Sequence, residues 1–212
     1  VLSAIGAVLL LLAATPVAWA GATVEGTVTL PAARTGTDVA PRYAGGAAYS
    51  AGAPEPPAAV VYLDAPMPTA TPPQATLAQH HYQFAPGLLA VARGTTVEFP
   101  NLDDEYHSVF SYSKAKRFDL GRYQRDEKPA ALTFDETGVV KLYCEIHDHM
   151  RGTILVLDTP LFVKTEADGR YRLTNLPAGR HVLHAWIEDG VVREQSVELR
   201  DGETTRVDFP AP

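Results

Sequence analysis

Apolar and polar residues alternate with a period of two through short stretches of this chain, and turn-forming residues separate the stretches. Val24, Val28 and Leu30 share one face of residues 22–30, which predicts a first strand. The β-branched run at 59–63 predicts a second. From residue 79 onward, short strands are expected at 81–84, 89–92, 96–99, 108–111, 131–134, 139–144 and 153–157. Beyond Asp158 the pattern becomes a hairpin-like series at 161–163, 168–173 and 176–183, then strands at 191–199 and 204–209. No segment sustains a helical period between caps. Many short strands with Gly and Pro turns predict an all-β chain, folded as an antiparallel sandwich or barrel.

Two stretches break the pattern. Residues 31–58 are rich in Ala, Gly and Pro without an apolar period, so an irregular insertion is expected there. A second Pro-rich connection covers 65–74, and residues 117–121 (RFDLG) are expected to form an irregular crossover. The first twenty residues are apolar and end in Ala18-Trp19-Ala20, a small-x-small pattern. They read as a secretory signal cut after Ala20, which predicts a periplasmic mature protein; an uncleaved anchor is the alternative. A net charge of −7 argues against a nucleic-acid partner and for solubility in the periplasm, and the mature form is expected off the membrane.

The chemistry concentrates in residues 138–156, GVVKLYCEIHDHMRGTILV. They hold the chain's only cysteine, Cys144, followed by His147 and Met150 at successive offsets of three. A lone Cys cannot close an internal disulfide, so it is a buried structural thiol, a reactive thiol or a metal ligand. Thiolate, imidazole and thioether within seven residues form a soft donor set, and such sets select copper. Zinc fits less well, because its structural sites use Cys and His without thioether. A trigonal copper site needs a second imidazole, and His107 in DDEYHSVFS is the candidate. Val140, Leu142 and Cys144 fall on one face of the predicted strand, so residues 144–151 form a tight loop between two strands. Core packing remains an alternative for Met150, and a satisfied strand histidine for His107. His149 is expected to be exposed and uncommitted, or else an alternative ligand competing with Met150. His80 and His81 read as surface residues, and His181 and His184 lack partners at ligand spacing.

The Cys-x-x-His-x-x-Met spacing resembles the copper loop of the cupredoxins, the type 1 blue-copper proteins, in its amicyanin and pseudoazurin form. Gly138-x-x-Lys141-x-Tyr143-Cys144 is more similar to plastocyanin, and Gly94 to Asn101 followed by His107 resembles the strand and loop of the first His ligand. The chain as a whole is similar to plastocyanin-like proteins of methylamine utilisation. Its Asp168-Gly-x-Tyr171 and Leu176-Pro-x-Gly179 turns resemble the transthyretin-like fold of carboxypeptidase regulatory domains. The expected layout is a signal at 1–20, a Greek-key cupredoxin sandwich at 21–157 and a small transthyretin-like β-sandwich at 158–212. The resemblance implies one copper ion per chain, cycling between Cu+ and Cu2+ on His107, Cys144, His147 and Met150. His147 would be the solvent-edge ligand and Met150 the axial one. It also implies an electron carrier and not an enzyme, with a c-type cytochrome or a periplasmic dehydrogenase as redox partner. Copper delivery on the same fold is the competing reading. The chain departs from the family pattern at Ser108 and Glu145, where Asn and Ser or Thr are usual. Ile146 and Asp148 replace prolines. Glu145 and Asp148 are expected to set negative charge beside His147 and attract basic partners.

Overall fold

The structure, a computed structural model, describes residues 21–33, 38–39, 49–50, 52–65, 73–187 and 190–211. The expected signal segment and half of the 31–58 insertion lie outside them. No helix occurs among the described residues. In chain order the strands begin with β1 (Ala22–Thr27), β2 (Asp38–Val39), β3 (Tyr49–Ser50) and β4 (Ala59–Leu63). A central block follows: β5 (Gln74–Thr76), β6 (Ala78–His80), β7 (Gln83–Ala85), β8 (Leu88–Ala92), β9 (Thr95–Phe99) and β10 (His107–Tyr112). It continues with β11 (Arg117–Tyr123), β12 (Ala130–Phe134), β13 (Gly138–Tyr143) and β14 (Arg151–Leu157). The chain ends with β15 (Phe162–Lys164), β16 (Arg170–Leu176), β17 (Gly179–Ile187), β18 (Val191–Leu199) and β19 (Thr204–Arg206).

The central block is a sandwich of a five-stranded sheet, β11-β10-β13-β14-β8, and a three-stranded sheet, β12-β9-β5. Their inward residues are those selected by the alternation. Val97, Phe99, Val109, Phe134, Val140, Leu142 and Ile154 are buried together with Cys144 and Met150. Each such buried side chain contributes about 1.5–3 kcal/mol relative to exposure. The loop carrying the candidate ligands spans the top of this core.

The sheets draw the domain boundary elsewhere than 157/158. β1 pairs with β16 and β19, and β4 pairs with β15 and β17. Ala22, Val24, Ala59, Val61 and Leu63 thus share one core with Leu173, Leu176, Leu183, Leu199 and Phe209. At Gly26 this closure needs glycine: a Cβ there would stand 1.7 Å from the Val207 carbonyl oxygen. The central sandwich is therefore inserted between β4 and β15 of a second sandwich built from both ends of the chain. Alternation along β1 and β4 shows which face is apolar but not which sheet covers it.

Two further expectations change. Residues 117–121 belong to a regular strand, β11, in a hairpin with β10. Phe118 and Leu120 turn toward the core while Arg117 and Asp119 face outward, so this is an edge strand buried on one side. The strand expected at 81–84 is instead a hairpin, with β6 and β7 joined by His81 and Tyr82 at positive φ (52° and 58°).

Candidate metal centre

Three elements bring the site together. β13 delivers Cys144 at its inward-facing end, 4% exposed. The Tyr143–Arg151 pair closes the hairpin, and inside it the Met150 amide donates to the His147 carbonyl at 2.9 Å. That turn swings His147 back over Cys144. β10 supplies His107 as its first residue, fully buried.

His107 Nδ1 lies 3.1 Å from His147 Nδ1, and Cys144 Sγ lies 3.8 Å from His147 Nδ1. All three donor atoms fall within 4.8 Å of one another. A trigonal site with bonds of about 2.0–2.3 Å separates its donors by roughly 3.5–3.7 Å. The residues present fit a copper ion in donor type and spacing. Met150 is 1% exposed within the same core cluster as Cys144. His147, at 9%, is the more exposed of the two imidazoles.

Asp103 orients this set, and no motif in the sequence marked it. Its carboxylate accepts from His107 Nε2 at 2.9 Å, which leaves His107 Nδ1 to face Cys144 and His147. The same carboxylate accepts the His81 and Tyr82 amides at 2.7 and 2.9 Å and so holds the positive-φ turn. Asn101 Oδ1 in turn receives the Asp103 amide at 2.9 Å. Tyr82 sets its ring edge-on to both imidazoles, with centroids 5.8 Å from His107 and 5.2 Å from His147. Burial pushes the Asp103 carboxyl up, but these amides and His107 outweigh it and hold the group below the usual carboxylate range. A carboxylate behind a ligating histidine is the arrangement that fixes tautomer and ring orientation in metal sites.

The Cys144 thiol is shifted too. Burial raises its pKa, yet His107 and the amides of Ser108, His147 and Ile146 outweigh that and bring it from 9.0 to about 7. Burial lowers the pKa of His147 and so favours the neutral imidazole a metal requires.

Ser108 and Glu145, the two departures from the family pattern, do meet. Ser108 Oγ accepts the Glu145 amide at 2.8 Å and lies 3.9 Å from Cys144 Sγ. The Glu145 carboxylate points away into a two-bond pair with Arg122, at 2.9 and 3.2 Å. Its charge is thereby matched locally, which weakens the expected attraction of basic partners. His149 is half-buried and bonded to the Tyr82 carbonyl at 2.8 Å, so it ties the loop to the β6–β7 turn and is not uncommitted. His80 and His81 are exposed and stacked on each other, centroids 3.8 Å apart. His184 stacks on Tyr62 in the other sandwich, away from the site.

No family model matches the sequence, and no curated protein matches it. Among solved structures, the chain is similar to a copper-containing nitrite reductase from Thermus scotoductus at 26% identity. That similarity covers 46% of this chain but only 26% of the reductase, with a TM-score of 0.38. A purple cupredoxin from Nitrosopumilus maritimus is similar at 24% identity over 39% of this chain and 99% of its own, TM-score 0.35. A reduced Cu(I) form of an amicyanin variant is similar at 20% identity over 46% and 98%, TM-score 0.37.

Proposed function

We propose that the chain holds one copper ion on His107, Cys144, His147 and Met150 and carries single electrons between redox proteins. The observation that carries this reading is the buried Cys144–His107–His147 cluster with Asp103 fixed behind His107. Bound copper would supply a centre that cycles between Cu(II) and Cu(I). The residues supply the rest. The amides around Cys144 favour its thiolate, Asp103 and Tyr82 hold the imidazoles in place, and the core excludes water from one side. Ligands held from several directions need little rearrangement when the charge changes, which favours a carrier over a delivery protein. The carrier is proposed to work in the periplasm, exported by residues 1–20, with a c-type cytochrome or a periplasmic dehydrogenase as partner. It is proposed not to be an enzyme, since the adjacent His80 and His81 are exposed and stacked on each other, and His107, Cys144 and His147 form the one cluster of metal-ligand type among the described residues.

Copper titration of the protein, with Cys144→Ser as control, tests the reading. An intense visible band at one copper per chain, bleached by reductant and absent in the control, is expected. Colourless or readily exchanged copper would point to delivery instead.

A further inference from the structure

Of the four candidate ligands, His107 and Met150 are sealed in the core, Cys144 is 4% exposed and His147 9%. A metal ion arriving from solvent therefore has its nearest approach at His147, and that approach is covered. The Tyr82 ring stands edge-on to the His147 ring, and so does the His149 ring, with centroids 6.1 Å from it. Tyr82 sits at the tip of the β6–β7 hairpin, and His149 Nε2 donates to its carbonyl at 2.8 Å. The two covering residues are thus tied to each other across the top of the site.

This hairpin has a fixed root and a held tip. At the root, Gln79 and Phe84 face each other in register and both are buried. Phe84 packs so tightly on Gly152 that a Cβ there would stand 3.0 Å from its ring. The tip, His81 and Tyr82, takes left-handed backbone, which residues other than glycine keep only when their surroundings enforce it. Asp103 enforces it from below. From the side, the Gly52 amide donates to the His81 carbonyl at 2.9 Å, and Gln83 Nε2 donates back to the carbonyls of Gly52 and Ala53. The two segments run so close that a Cβ on residue 52 would stand 2.9 Å from Gln83 Nε2 and 3.0 Å from His81 Cβ. A strained tip held by a few polar contacts opens at much lower cost than the packed core beneath it.

We propose that the His81–Tyr82 tip is a lid on the metal centre, strapped by Gly52 and Ala53 and latched by His149, and that its opening sets how fast a metal ion enters and leaves. The ligands set affinity and the lid sets access. Contacts that hold the lid equally in the empty and the loaded protein shift no binding equilibrium. That the ion is copper rests on the proposed function; the cover over His147 does not.

The test loosens strap and latch together in a Gln83→Ala, His149→Phe variant and leaves Asp103 alone, because Asp103 also orients His107. Phenylalanine keeps the bulk of the His149 ring and loses its hydrogen bond. The metal-free full chain is treated with diethyl pyrocarbonate, and acylation of His147 is mapped by mass spectrometry against the exposed His80 and His81. His147 should react about tenfold faster than in the wild type, in proportion to the open fraction. Uptake of Cu(II) and its release to a chelator should each quicken by about the same factor, with the dissociation constant, visible band and circular dichroism spectrum unchanged. Gln83→Ala alone, whose side-chain bonds run to Gly52 and Ala53 and to no ligand, should give about threefold. Unchanged labelling of His147 in both variants overturns the proposal. Faster labelling with unchanged copper uptake overturns it too, since the ion then enters along Cys144, which borders a groove lined by Phe110 and Tyr143. A tenfold change in the dissociation constant also overturns it, because these residues then shape the centre and not its access. Faster labelling in a chain that takes up no copper leaves the lid standing and removes the copper reading. Tight copper binding with unchanged labelling does the reverse.

Discussion

Asp103 joins a strained turn to a candidate ligand through one carboxylate, so its removal should be felt in both. Asp103→Ala leaves the His81 and Tyr82 amides and His107 Nε2 without their acceptor. The expected cost is roughly 2–4 kcal/mol of stability in the metal-free protein, measured by urea unfolding. Copper affinity should fall about 10–100-fold in competition with a chromophoric chelator, and Asp103→Asn should fall between. Wild-type affinity in the Ala variant would show that His107 is oriented by something else. Ser108 and Glu145 make a contrasting pair. Ser108 acts through its hydroxyl on the Glu145 amide, whereas the Glu145 carboxylate is spent on an exposed partner. Ser108→Ala should therefore cost about 1 kcal/mol and move the visible absorption maximum. Glu145→Gln should change stability by less than about 0.5 kcal/mol and leave the band in place. A spectral shift in the Gln variant would mean that the side chain, not the amide, tunes the centre.

At the scale of the strand, the local period located most elements to within a residue or two. β4 was legible in full from AVVYL, and β13 from the inward set Val140, Leu142 and Cys144. The ligand loop was legible because its donors are close in sequence. β11 was missed because it is a one-sided edge strand whose apolar residues, Phe118 and Leu120, are only two and sit beside a glycine at positive φ. Asp103 and Tyr82 were missed because they act from separate loops, and only the fold brings them to His107. The same limit applies to β16, whose Tyr171 hydroxyl donates to the Val207 carbonyl at 2.7 Å across the chain ends. Burial holds the Tyr171 phenol well above its ordinary 10.0. A raised folded value means that the stabilisation is complete below the unfolded value near 10. It is lost as pH rises from there toward the folded value. Tyr171→Phe should thus cost about 1 kcal/mol at neutral pH, by loss of the hydrogen bond. The gap to wild type should narrow above about pH 10 in urea unfolding series. A gap that stays constant to pH 11 would place the phenol outside this linkage.

The whole molecule is two sandwiches joined by two crossings of the chain, β4 outward and β15 back, and by a packed interface. Trp186 is the centre of that interface, 3% exposed among Val60, Leu88, Leu155 and Leu157, with Lys141 Nζ 5.9 Å from its ring centroid. Leu88, Leu155 and Leu157 belong to the inserted central sandwich, whereas Val60 and Trp186 belong to the other, so burial here couples the stability of the two cores. Because both ends of the inserted unit are anchored, its local unfolding must also disturb the strands that hold it. The expected result for the wild type is one cooperative thermal transition, in which the blue band and the far-ultraviolet signal disappear together. Trp186→Ala removes about 3–5 kcal/mol of packing at the interface without touching either inner core. The two sandwiches should then melt separately, and copper loading should raise only the transition that bleaches the blue band, since a ligand stabilises the unit that binds it. A single transition that persists in the variant, moving as a whole on copper loading, would mean that the two tethers suffice to couple the cores.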